Sequence, residues 1–167
     1  MSMVNIGSGN GSSLTSIQDG DVQPNAVDLR LGKVFRIKPL EFVITNEMKM
    51  HRGSEELEVD EYGFYNLEPG DYEVVMENII DVVEGEAGFV ITRSTLNRNG
   101  VFLTSGLYDS GYNGVMAGVM HVGVGPMRIA KGTRIGQYLN WKAETLSMYD
   151  GDYGIGKAHD VKYGGTE

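Results

Sequence analysis

Gly106–Gly114 reads GLYDSGYNG: three glycines, two tyrosines and one aspartate in nine residues. Apolar segments flank it on both sides, VFLTS before and VMAGVMHV after. Glycine and the small polar residues supply backbone conformations that a tight reversal needs, so the stretch is a β-hairpin signal. Asp109 sits in the middle of it. An aspartate in a turn commonly hydrogen-bonds its own backbone. The same carboxylate at a loop tip is also placed to hold a reacting water.

Outward from the hairpin the pattern stays that of strands. In QPNAVDLRLGKVFRI the apolar Val27, Leu29 and Leu31 alternate with Asp28 and Arg30, a period of two. FVIT, YEVVME, AGFVITR, VFLTSG, VMAGVMHVGV and RIGQYLNW read as further short strands, with Gly, Pro, Asn and Asp between them. LEPGDYEV carries a Pro-Gly turn between two of them. Many short strands with little helical periodicity predict an all-β fold, a distorted jelly-roll barrel or sandwich. ENIIDVVEG fits a strand or a helical turn. SLTSIQDG is expected to form a short helix ending near Gly20. Residues 1–13, rich in Gly, Ser and Asn, are expected to be a flexible arm. Residues 14–148 form the β domain. Residues 149–167 are a glycine- and tyrosine-rich tail with few aliphatics, unable to build a core of its own.

The 167 residues suit one domain with a real core. No apolar run approaches the roughly 20 residues that span a bilayer, and no secretory signal is visible, so a cytoplasmic protein, cellular or virus-encoded, is expected. Without cysteine the chain has neither disulfides nor thiolate metal sites. A net charge of −9 argues against a broad nucleic-acid surface. A phosphorylated small molecule remains compatible with it, provided a few cations converge or a divalent metal helps.

Some apparent motifs fail on their chemistry. Gly151–Lys157 spells G-x-x-x-x-G-K, but Ala158 stands where a P-loop needs Ser or Thr for magnesium, and too few residues follow for a βαβ unit. DGDYG lacks the closing glutamate of a calcium loop. His51, His121 and His159 have no zinc-like spacing, and His121 reads as a strand residue.

Four other segments agree with one another: VDLRLG (27–32), RSTLNRNG (93–100), GLYDSGYNG (106–114) and GTRIGQYL (132–139). In this order they resemble the trimeric dUTPase and dCTP deaminase superfamily over roughly residues 17–141. QPNAVDLRLG looks like the opening strand of the deaminase branch. RSTLNRNG is similar to its RSSxxRxG motif, whose Arg-Ser start is also the dUTPase phosphate motif. GLYDSGYNG matches every fixed position of the dUTPase uridine-binding hairpin GxxDxxYxG. GTRIGQ is similar to GxRIAQ, with Gly136 in place of alanine.

The resemblance implies a homotrimer with active sites between subunits, dUTP as substrate and Mg2+ as cofactor. Arg93, Ser94, Thr95, Arg98 and Gln137 would hold phosphate, and charge-assisted bonds suit that task. Gly106 would border the nucleoside and Tyr112 would lie against the sugar. Asp109 would hold the attacking water, Asp28 would approach the metal, directly or through water, and Tyr153 and Lys157 would act from a closing tail. Two departures matter. A deaminase places a catalytic glutamate on the strand after the hairpin, whereas here Val119 occupies that place and no acidic residue occurs between Asp109 and Glu144. The tail has Lys157, Lys162, Tyr153 and Tyr163 where dUTPase tails carry Arg and Phe. The implied activity is hydrolysis of dUTP to dUMP and pyrophosphate. The alternatives are a dCTP deaminase or bifunctional enzyme, and a silent dUTPase-like regulatory protein.

Overall fold

A computed structural model describes residues 3–6 and 11–164. The chain orders as β1 (Ser13–Leu14), β2 (Val27–Ile37), β3 (Val43–Ile44), β4 (Lys49–Met50), β5 (Ser54–Glu56), β6 (Phe64–Leu67), β7 (Gly70–Asp81), β8 (Glu86–Thr92), α1 (Ser94–Asn97), β9 (Val101–Thr104), β10 (Asn113–Val122), β11 (Met127–Ala130) and β12 (Arg134–Lys142). A 3-10 helix at Ala158–Tyr163 follows. The main sheet runs β8-β12-β2-β7-β10-β9, with β1 added beside β7 and β5 beside β2. β11 pairs with β6, and β3 with β4.

The two ends of the main sheet approach each other, so it curls toward a barrel. Thr92 Oγ1 on β8 accepts the Leu103 amide of β9 at 2.7 Å, and Tyr108 exchanges two backbone hydrogen bonds with Gly88. This is the distorted jelly roll expected from the strand pattern. Closure also covers the strand edges that would otherwise invite pairing with another chain. Inside lie Val27, Leu29, Leu31, Val34, Met76, Ile80, Met116, Met120, Ile135 and Tyr138, all buried. Val27 and Leu29 share one face of β2, which leaves Asp28 on the other. The pairing of β2 with β7 shifts register between Leu31 and Lys33. Gly32 makes that bulge possible, because a Cβ there would lie 2.9 Å from the Val75 carbonyl oxygen.

One local expectation changes and one open alternative is resolved. SLTSIQDG is not helical: Ser13–Leu14 pairs with Ile80–Asp81, and Ser16 takes a positive φ of 56°. The competing β pairing wins because it satisfies backbone groups that an isolated turn of helix leaves open. ENIIDVVEG is strand as far as Asp81. Two described residues of the arm are buried. Ile6 is buried, and Ser12 donates through both its amide and its hydroxyl to the carboxylate of buried Glu86.

The tail is likewise docked on its own chain. Tyr149 N–H donates to Ser110 O at 2.7 Å and Ile155 N–H to Asn113 O at 2.9 Å. Gly114 admits this approach, since a Cβ on it would meet the Gly154 Cα at 2.6 Å. Buried Asp160 accepts the Gly154 amide at 2.7 Å. Tyr163 packs with Phe35, Val75 and Val115 in a small second core outside the barrel.

Candidate active site

The site residues fall into two groups. The first gathers on the outer face of β2 and β12. Asp28 is completely buried and lies opposite Gln137 in the strand register. Gln137 Nε2 donates to Asp28 Oδ1 at 3.1 Å, and Arg134 Nη1 donates to Oδ2 at 3.3 Å. Arg93 Nε is 3.5 Å from the same Oδ2. Arg93 directly precedes α1, and its amide donates to Ile135 O at 3.1 Å, so β12 holds this part of the backbone. One buried carboxylate therefore orients two guanidinium groups, each about a third exposed (32% and 36%), and one amide. Cations held this way suit phosphate oxygens.

Ser94, Thr95 and Arg98 lie exposed on or beside the four-residue α1. Asp28, expected as a metal contact, has both oxygens engaged by Gln137, Arg134 and Arg93. Its position is that of a brace for cations. Arg134 was visible within GTRIGQ but carried no role in the sequence reading; its contact with Asp28 supplies one.

The second group surrounds a cavity of about 800 Å3 formed by the hairpin, β7 and the tail. β9 and β10 form the hairpin, with Val119 opposite Thr104 and Val122 opposite Val101. Gly106, Tyr112 and Tyr153 line the cavity, as do Val119, Glu73 and Lys162. The Tyr112 hydroxyl donates to Val115 O at 2.6 Å, and its ring meets those of Tyr108 and Tyr149 edge-on or tilted. Burial raises the Tyr112 phenol above its ordinary range, with a smaller push from Asp160, so it stays neutral. Glu73 lies opposite Val119 in the register. Burial acts against its charge, but hydrogen bonds from Lys162 and Tyr163 hold its carboxyl below the usual range.

Asp109 is exposed and borders a neighbouring cavity of about 520 Å3, together with Ser110, Glu144 and Asp150. The turn closes through its backbone, Tyr112 N–H to Asp109 O at 3.0 Å. Its carboxylate makes no hydrogen bond among the described residues and is not what holds the turn. Lys157 lines neither cavity, and the same is true of Arg93, Ser94 and Gln137. Within one chain the cation cluster and the hairpin cavity thus remain separate. Glu73, His51, His159 and Lys162 were not singled out as site residues from sequence, because no local motif marks residues that meet across so long a stretch of chain.

The dCTP deaminase-like family model matches residues 6–142. The chain belongs to the dCTP deaminase-like family. Among curated relatives, a probable deoxyuridine 5'-triphosphate nucleotidohydrolase of Aeropyrum pernix is 32% identical over 139 residues, 81% of this chain and 86% of the relative. A protein of the same name from Methanopyrus kandleri is 33% identical over 142 residues, 83% of this chain and 90% of the relative. Among solved structures, the 2'-deoxycytidine 5'-triphosphate deaminase of Agrobacterium tumefaciens superposes with a TM-score of 0.68 at 17% identity, over 87% of this chain. This chain spans about half (49%) of that deaminase's length. The EIAV dUTPase superposes with a TM-score of 0.52 at 15% identity, over 85% of this chain and 95% of the other. The last two similarities concern the fold.

Proposed function

We infer that this chain is a dUTP diphosphatase, cleaving dUTP between its α and β phosphates. The observation that carries the reading is the GLYDSGYNG loop. It walls the cavity of about 800 Å3 with Gly106 and Tyr112, and leaves the Asp109 carboxylate exposed and unbonded beside the neighbouring cavity. The relatives named as deoxyuridine 5'-triphosphate nucleotidohydrolases support it. Asp109 orients and deprotonates the water that attacks the α-phosphate, help worth about 10²–10⁴ in rate. Arg93, with Gln137 beside it, binds phosphate oxygens and stabilises the charge that develops on them. Tyr112 packs against the sugar, where a 2′-hydroxyl would collide.

The cation cluster and the hairpin cavity lie apart in one chain, so a complete site needs a second copy. We take the assembly to be a homotrimer with each site at a subunit boundary and the tail as its lid. Among the described residues no group of three His, Asp or Glu side chains is arranged to hold a metal ion. Asp28 is occupied by Arg93, Arg134 and Gln137. The residues present therefore do not form a protein cage for Mg2+. The substrate is taken to be the magnesium complex of the nucleotide, its ion held by phosphate oxygens. A cytoplasmic setting, where such nucleotides are found, fits this role.

Deamination of dCTP is the weaker reading. It needs a carboxylate free to move protons at C4; Val119 cannot do so, and Glu73 is already tied to Lys162 and Tyr163.

The test is Asp109→Asn, which keeps the loop's shape and removes the proton acceptor. Turnover should fall by about 10²–10⁴ while a non-hydrolysable dUTP analogue still binds. Co-expressing this variant with Arg93→Ala should restore part of the activity, because some mixed sites then receive both intact residues. Near-normal turnover in Asp109→Asn would sink the catalytic assignment; two inactive variants that never complement would sink the shared site.

A further inference from the structure

The tail closes one side of the large cavity and meets the β3–β4 arm there through two imidazole rings. His51 directly follows β4, and His159 lies in the first turn of the tail's 3-10 helix. Their ring centres are 4.5 Å apart, with the planes tilted by 53°. Both residues line the cavity. Tyr153 of the tail packs edge-on against His159 at 4.9 Å, and Phe42 of the arm lies 6.4 Å from His51. One ion pair crosses the same boundary, Lys49 Nζ to Asp152 Oδ2 at 2.5 Å. His51 is exposed, so a proton reaches it without the tail moving first.

The charges facing the pair balance while both rings are neutral. The arm contributes Lys49 and Arg52, β7 contributes Glu73, and the tail contributes Asp152, Asp160 and Lys162. Lys157 of the tail does not line the cavity. The phenols of Tyr153 and Tyr163 face His159 and carry no charge at neutral pH. Lys49 is paired with Asp152, and Lys162 with Glu73. Asp160 accepts the Gly154 amide and lies 3.3 Å from His159 Nδ1. A first proton on the pair therefore has Asp160 as its partner. A second has none, because His51 makes no hydrogen bond or ion pair among the described residues. Two imidazolium rings in contact repel each other.

We propose that His51 and His159 form a proton-sensitive latch between the β3–β4 arm and the tail, closed while His51 is neutral and released when both rings are charged. Burial, then the nearby His159, Lys162 and Lys49, lower the His51 imidazole below its ordinary 6.5, and Glu73 acts the other way. Undocking restores the ordinary value. The docked state thus binds fewer protons, so docking is at full strength above pH 6.5 and weakens as pH falls below it. The carboxylates of the other arm and sheet contacts do not titrate in that window, since Glu73 is held below 4.5 and Asp152 below 3.8. Release opens the side of the cavity that the tail covers. The latch depends on the docked tail and not on which nucleotide the cavity takes.

The test is amide hydrogen exchange of residues 150–164 in the full-length protein at pH 7.5 and pH 5.5, corrected for the chemical pH dependence of exchange. The readout is the ratio of tail protection at the two pH values, so a variant that docks more weakly overall still decides the matter. In the wild type, protection should fall several-fold at pH 5.5, by at most about tenfold for one proton. His51→Phe keeps a ring against His159 and cannot be charged, and its ratio should be close to one. His51→Asn, neutral and of different shape, should be equally insensitive. His121 pairs with Asp71 and Phe102 away from the cavity, so His121→Asn should retain the wild-type response. A wild-type ratio of one overturns the latch, and so does a response that survives in both His51 variants. A response abolished by His121→Asn would place the sensor elsewhere and overturn it as well.

Discussion

Replacing Asp28 by Asn separates a brace for cations from a metal ligand. The amide keeps an oxygen for Gln137, now 3.1 Å from Oδ1. It places an NH2 group where Arg134 at 3.3 Å and Arg93 at 3.5 Å now meet a negative oxygen. Two charge-assisted contacts become donor against donor in a position with no access to water. Fully buried, such a loss would cost several kcal/mol, but both arginines are about a third exposed and can turn to solvent. The discounted cost is about 2 kcal/mol. For a chain of this size that lowers Tm by about 4–8 °C. Arg93 and Arg134 lose their shared support, so kcat/KM for dUTP should fall by about 10–10² at saturating magnesium. Differential scanning fluorimetry and a steady-state pyrophosphate assay measure the two effects. Raising magnesium should not rescue the variant. An unchanged Tm with activity restored by excess magnesium would refute the brace and return Asp28 to the metal.

Two further outcomes follow from the packed termini. Burial acts against the Glu86 charge, yet bonds from Ser12, Asn140 and Lys142 pull its carboxyl down to about 2, below the 4.5 of a free glutamate. Its stabilisation is therefore complete above pH 4.5 and is lost as pH falls toward 2. Glu86→Gln should cost about 1–3 kcal/mol at pH 7, with the gap from wild type narrowing across that window in acid melts; a pH-independent gap would contradict the clamp. Truncation after Tyr149 should lower kcat/KM strongly and also lower Tm by about 3–8 °C, because Tyr163 loses its burial against Phe35, Val75 and Val115. Full activity without residues 150–167 would reject the lid.

The strands were legible because their alternation is local: Val27, Leu29 and Leu31 announce a buried face within five residues. The hairpin was legible for the same reason, its glycines and Asp109 being contiguous. Arg93 and Gln137 could be named only through a resemblance, since nothing local connects them. Their shared support, Asp28, lies 109 residues from Gln137 along the chain. From sequence Asp28 is offered only as a metal contact; its contacts with Arg93 and Arg134 come from elements far apart in the chain and are visible only in the folded structure. The docking of the tail was not legible, for a different reason. Its contacts are with distant residues: Gly154 is a point of close approach to Gly114, and Asp160 and Tyr163 are buried where it docks. Glu73 carried no signal at all; it matters because β7 places it opposite Val119.

The most direct measurement of the central claim is the release of pyrophosphate and ammonia from dUTP and dCTP, assayed in parallel on the wild-type protein with magnesium. The account predicts pyrophosphate from dUTP and no ammonia from dCTP, because Val119 lines the cavity where proton transfer at C4 would need a free carboxylate. Ammonia from dCTP above background, or no pyrophosphate from dUTP, would contradict it.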